Sequence, residues 1–76
     1  SDEFIFSGRM ELDFISNKYQ IKFEETEDTE TLSGYIIRQN EGIPEEKDVI
    51  IAGQLEFHIL HVSDTRIETV KLKLLK

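Results

Sequence analysis

The 76-residue sequence has no cysteine and no tryptophan, a single proline, a single methionine and four glycines. Without cysteine, neither a disulfide framework nor a thiolate metal site can reinforce the fold, in keeping with a reducing compartment. Basic side chains are scarce as well: nine Lys and Arg stand against sixteen Asp and Glu, a net charge of −7. Binding of DNA or RNA draws on a positive footprint that releases counterions from phosphates, and that footprint is missing. The same imbalance disfavours adsorption to anionic lipid. No apolar run approaches the roughly 20 residues needed to cross a bilayer, and the N-terminus lacks the basic, apolar and small-residue order of a signal peptide. Direct membrane insertion by this domain is therefore not expected.

Length sets a second bound. Residues 1–76 form one domain at most, and a chain of this size buries only roughly 60% of the surface that its unfolded form exposes. A core of this size rarely supplies more than about 3–5 kcal/mol of net stability, which leaves little for a strained catalytic site. The opening "SDEFIF" has no methionine, so a fragment of a longer protein is expected.

What is present is organised. "EFIFS" (3–7) mixes aromatic and branched residues and stops at a glycine, which predicts a first strand. In "MELDFISNKYQIKF", Leu12, Ile15 and Tyr19 recur at spacings of three and four, with Phe14 beside them, predicting a short amphipathic helix. Residues 24–31, "EETEDTET", contain no apolar side chain and predict a surface loop. Thr29 or Thr31 is expected to cap a second helix, with Glu30 near the positive end of its dipole. Leu32, Tyr35 and Ile36 share a face of that helix. Its end is marked three times: Gly42 at the left-handed position after the last turn, Ile43 folding back on Ile37, and Pro44 blocking continuation.

After the polar turn "PEEKD", "VIIA" (49–52) predicts a short strand, and "GQ" a tight connection. "LEFHILHV" alternates Leu55, Phe57 and Ile59 against Glu56 and His58, and "RIETVKLKLL" sets Val70, Leu72 and Leu74 against Thr69, Lys71 and Lys73. Three late strands joined by short turns favour an antiparallel meander, with two helices to cover one face. The expected fold is α+β: two layers, a mainly antiparallel sheet of about four strands with two short helices on one face.

The stretches "TLSGYIIRQNEGIPEEKD", "VIIAGQLEFHILHV" and "RIETVKLKL" resemble the transporter-associated domain at the C-terminus of CorC/HlyC proteins, the magnesium and cobalt efflux and hemolysin-like family. In that pattern a Thr, a small residue and a Gly open a helix, Ile-Pro ends it, and a "G..F.V" strand precedes a final "RI..V" strand. Thr31, Gly34, Ile43, Pro44, Gly53, Phe57, Arg66, Ile67 and Val70 occupy those places. Lys47 departs from it, standing where the pattern usually has glycine in the turn after Ile-Pro. The resemblance implies a fold similar to one subdomain of flavin-binding oxidoreductases, without flavin motifs and with no cofactor. It also implies a C-terminal tail on the cytoplasmic side of the cell membrane, part of an integral membrane protein, following a transmembrane region and a pair of CBS domains. The tail would regulate ion transport by packing on those neighbours or on a second copy.

Several constellations invite a more chemical reading. Gly34 costs a helix about 1 kcal/mol against alanine, so something is expected to approach its backbone: an anion on the Ser33 and Gly34 amides, or a neighbouring element of the fold. The packing reading is preferred, because a phosphate loop needs a glycine-rich run and a nearby Lys or Arg. Glu24, Glu25, Glu27, Asp28 and Glu30 could attract a divalent cation, but their spacing is not that of a calcium loop, and a solvated charge run is expected. His58 and His61 lie three apart, and on a regular strand such residues point to opposite faces, so they should not share an ion. His61, Ser63 and Asp64 fall in one turn and read as a hairpin connection instead of a triad. The expected function is a non-enzymatic accessory domain. The alternative is a direct sensor of a divalent cation or adenine nucleotide, acting through the acidic loop or the helix start at residues 31–34.

Overall fold

The two periodicities resolve into six elements in the order β1 (Glu3–Ser7), α1 (Leu12–Tyr19), α2 (Leu32–Asn40), β2 (Val49–Ala52), β3 (Leu55–Val62) and β4 (Ile67–Leu74). The computed structural model describes residues 2–27 and 30–75; Asp28 and Thr29 lie outside the described residues. The strands form one antiparallel sheet in the order β1-β4-β3-β2, a three-stranded meander to which β1 adds at the β4 edge. Phe6 pairs with Val70 and Val70 with Ile59, while Phe4, Leu72, Phe57 and Ile50 fill the next row. These rows point towards the helices. Leu12, Ile15, Leu32, Tyr35 and Ile36 close the core from the helical side, joined by Ile21 and Phe23 from the segment leaving α1. The α+β two-layer reading thus describes the molecule.

The β3–β4 register breaks twice. Ile59 pairs with Val70, His61 with Thr69 and Val62 with Ile67, so the register shifts on both sides of His61. Such a bulge re-aims the side chains that follow it. Consequently Ile67 and Val70, three residues apart, are both fully buried, and the regular-strand geometry assumed for His58 and His61 does not hold between them.

Two glycine expectations are corrected. The left-handed residue after α2 is Glu41 (φ 61°, ψ 37°), with Gly42 following at φ 156°. The helix runs to Asn40, one residue short of what Gly42 in that position required. The Glu41 amide donates to the Arg38 carbonyl (3.3 Å) and the Gly42 amide to the Ile37 carbonyl (3.0 Å), the paired bonds of a Schellman ending. Pro44 is buried, while Ile43 stays 43% exposed.

Gly34, expected against a neighbouring element, is exposed, and a Cβ there would meet nothing closer than Thr31 Oγ1 at 3.4 Å and Glu30 Cγ at 3.8 Å. Close approach occurs at Gly8 instead. A Cβ on Gly8 would stand 2.0 Å from the Ile67 carbonyl oxygen, because the chain leaving β1 stays alongside the start of β4 and bonds it through Gly8 N–H to Glu68 O (2.9 Å).

Lys47 keeps the left-handed geometry that glycine would supply, at φ 76°. Its amide bonds the Ile59 carbonyl (2.7 Å), and the turn closes by Asp48 N–H to Glu45 O (3.1 Å) and Glu45 N–H to Asp48 Oδ2 (2.9 Å).

Candidate functional site

The two helices begin side by side, and this arrangement governs what the site can bind. Leu12 N–H donates to the Glu30 carbonyl (3.0 Å) and Leu32 N–H to the Met10 carbonyl (2.8 Å), stitching the two helix starts together. Thr31 caps α2 in an extended conformation, its Oγ1 accepting from Gly34 N–H (3.1 Å). Ser33 N–H reaches the Gly8 carbonyl (2.8 Å). The first-turn donors of α2, which a helix normally offers to solvent or to an anion, are thus consumed within the fold. An anion held on the Ser33 and Gly34 amides is ruled out by that accounting.

The acidic loop is held down by two side chains of α2. Tyr35, 1% exposed, donates its hydroxyl to the Glu24 carbonyl (2.8 Å), and burial pushes that hydroxyl's pKa up. Arg38, one turn later, grips Glu30 in a two-pronged pair, Nε to Oε2 at 2.9 Å and Nη2 to Oε1 at 2.8 Å, and also donates to the Glu25 carbonyl (2.7 Å). Such bidentate guanidinium pairs are the strong ones. The hydrogen bond from Arg38 holds the Glu30 carboxyl below the usual carboxylate range, helped by the Glu27 amide at 3.2 Å. Glu27 itself stands 3.9 Å from Arg38 Nε, and the Glu24 carboxylate lies over the β2–β3 turn, 3.2 Å from where a Cβ of Gly53 would stand. Glu24, Glu25, Glu27 and Glu30 therefore belong to a folded strap. Among the described residues no three His, Cys, Asp or Glu side chains converge on a point that could hold an ion.

The histidines have separate partners: His58 Nε2 bonds Glu56 Oε2, and His61 Nδ1 stands 3.7 Å from Glu46 Oε2. Ser63 Oγ donates to the Arg66 carbonyl (3.3 Å), closing the β3–β4 turn, and His61 is directed at Glu46. His61 thus lies within β3 and faces Glu46, while Ser63 closes the turn after it, so the described contacts do not bring the two together as a nucleophile and its base.

A shallow cleft of about 540 Å³ lies beside the α2 start, lined by Arg9, Thr31, Gly34, Ile37, Thr65 and Arg66 together with Gly8 and Ser33. Sequence reasoning did not assemble it, because Arg9, Gly34 and Arg66 come from the β1–α1 turn, the first turn of α2 and the β3–β4 turn. The one linear signal is that Arg9 and Arg66, with Arg38, are the three arginines of an acidic chain.

The CorC_HlyC family model, described as the transporter associated domain, matches residues 1–76. The chain belongs to that family. Solved structures agree with the assignment. A transporter associated domain CorC_HlyC from Nitrosomonas europaea is 25% identical, with a TM-score of 0.84 over 95% of this chain and 86% of that one. A functionally unknown conserved protein from Haemophilus influenzae Rd KW20 is 29% identical, with a TM-score of 0.86 over 96% of this chain and 89% of that one. A CorC_HlyC domain of a Xylella fastidiosa Temecula1 hemolysin, in complex with Mg²⁺ and Mn²⁺, is 18% identical and shares the fold, with a TM-score of 0.79 over 97% and 89%. No curated protein matches the chain. As a transporter associated domain, the molecule is an accessory module, and its side chains form a strap and a cleft with no catalytic grouping among the described residues.

Proposed function

We propose that this domain is the cytoplasmic regulatory tail of a CorC/HlyC-type membrane protein and works by packing on its neighbours. Those neighbours are a CBS pair and the transmembrane region of the same chain, or a second copy of the domain. The observation that carries the reading is the open face of the sheet. Opposite the helices, one row runs Ile5, Lys71, His58, Val49 and the next Glu3, Lys73, Glu56, Ile51. The apolar members stay exposed, Ile5 by 67%, Val49 by 50% and Ile51 by 62%. Apolar side chains flanking a stripe of paired charges form a surface suited to another folded domain, since exposed apolar patches mark interaction sites. No helix among the described residues is long and apolar enough to cross a membrane, so attachment to one falls to other segments.

Direct sensing of a divalent cation is the second reading, and the Mg²⁺ and Mn²⁺ complex of the Xylella fastidiosa domain is what favours it. Against it, Glu30 is already neutralised by Arg38.

The test replaces Val49 and Ile51 with Glu in a membrane protein that carries this domain, and measures divalent cation flux in vesicles. Altered flux, with the isolated variant domain melting as before, supports packing. Unaltered flux overturns it. Saturable Mg²⁺ shifts on the strap would promote the sensor instead.

A further inference from the structure

We propose that the cleft beside the α2 start is a binding site for a small ligand bearing an oxyanion, a phosphate ester or a carboxylic acid, held by Arg9 and Arg66 above Gly34. This goes beyond the packing role and uses different residues: Ile5, Val49 and Ile51 do not line the cleft.

Three observations converge there. The first is Gly34. It has neither a close neighbour nor a left-handed backbone to require glycine, yet a glycine in a helix is costly. Gly34 lines the cleft, so a side chain there would add to its wall. The fold does not explain the residue, whereas a ligand held by the arginine side chains and needing space over position 34 does.

The second is charge. The chain has three arginines and a net charge of −7. Arg38 is spent on Glu30, and the other two both line this one cleft. Arg66 has no carboxylate partner among the described residues. Arg9 faces Glu68, Nε to Oε1 at 3.6 Å with its own side chain 66% exposed, a separation beyond hydrogen-bonding distance that leaves its N–H groups able to turn to a ligand. Guanidinium groups suit oxyanions because their planar fork matches two oxygens at once. At physiological salt the repulsion from distant carboxylates is screened over about 8 Å, so the local arginines dominate the encounter.

The third is the remaining lining. Thr31 Oγ1 accepts from the Gly34 amide, so its hydroxyl proton remains to be donated, and Thr65 brings a second hydroxyl. Ile37 supplies an apolar wall for the carbon part of a ligand. A volume of about 540 Å³ falls within the range of small-molecule sites, roughly 300–1,000 Å³.

The experiment titrates the ¹⁵N-labelled 76-residue chain with pyrophosphate and, separately, with citrate, at about 0.15 M ionic strength. Saturable amide shifts confined to Gly8, Arg9, Gly34, Thr65 and Arg66 are expected. Saturation by pyrophosphate alone assigns a phosphate ligand, by citrate alone a carboxylate, and by both a site that reads the oxyanion regardless of its source. Arg66→Gln should weaken binding about tenfold or more, the usual loss on removing a charged hydrogen-bond partner. Gly34→Ala should weaken it while raising the melting temperature, a combination that a purely structural glycine would not produce. Shifts that grow linearly with either anion up to millimolar concentration, or saturation unaffected by both variants, would overturn the proposal.

Discussion

The amide of Ile67 donates to the hydroxyl oxygen of Ser33 at 2.9 Å, across 34 positions of sequence. Ser33 is the one polar side chain among the described buried residues, 5% exposed, and Ile67 is fully buried. The bond joins the first turn of α2 to the start of β4 and sets the cleft between them. Ser33→Ala leaves a buried amide without a partner, which costs about 1–3 kcal/mol. Urea unfolding should show that loss as a lower midpoint with an unchanged slope.

Gly8 and Gly34 should respond to alanine with opposite signs. At Gly8 the new methyl collides with the Ile67 carbonyl, and backbone cannot move aside cheaply, so Gly8→Ala should lose about 3 kcal/mol or fail to fold. At Gly34 the methyl meets only ordinary contacts, and the gain in helix propensity should raise stability by about 0.5–1 kcal/mol. For a domain of this size, thermal unfolding should report the second as a rise of roughly 2–8 °C.

The contrast between these glycines marks where sequence reasoning ends. Period-two and period-three-to-four patterns are local, so β1, both helices and the meander were legible from Phe4, Leu12, Tyr35 and Leu72 and their neighbours. Thr31 was also legible as a cap, since capping acts over three residues. Which glycine bears a close approach is a non-local fact. It depends on the chain leaving β1 running beside the start of β4 at Ile67, a contact that leaves no trace in the sequence around Gly8. The cleft was hidden for the same reason, being assembled from residues as far apart as Arg9, Gly34 and Arg66. Arg38 and Tyr35, one turn apart on α2, carried a readable hint that the acidic loop has a cationic and a hydroxyl anchor, but the grip on Glu30 depends on how the loop folds back. The bulge at His61 was unreadable because β3 alternates without interruption through Ile59.

Glu41 and Lys47 are non-glycine residues at left-handed positions, φ 61° and 76°. For residues with a Cβ that conformation costs about 1–2 kcal/mol, offset partly by the greater entropy that glycine loses on folding. Both side chains are exposed. Glu41→Gly should therefore stabilise the domain by about 1 kcal/mol, the preference of a Schellman ending for glycine, and Lys47→Gly by a smaller amount. Differential scanning calorimetry of the two variants and their combination should give additive increments, because the two residues belong to different turns.

Acid should loosen the strap first. Arg38 holds the Glu30 carboxyl below its ordinary value, so the folded state binds that proton less readily than the unfolded one. The stability contributed by the pair is fully present above the unfolded carboxyl pKa, about 4.3, and is lost as pH falls through the lower folded value. Neutralising the carboxyl removes this dependence. Glu30→Gln should be less stable than the parent at pH 7 and should lose less on acidification, so that the two stability curves approach one another at low pH. The strap gives a local reading of the same event: exchange of the Glu25 and Glu27 amides should accelerate at neutral pH in Arg38→Met, while the amides of β3 and β4 hold their protection. Identical pH profiles for parent and Glu30→Gln would mean that the guanidinium pair contributes nothing, and that Tyr35 alone anchors the loop through the Glu24 carbonyl.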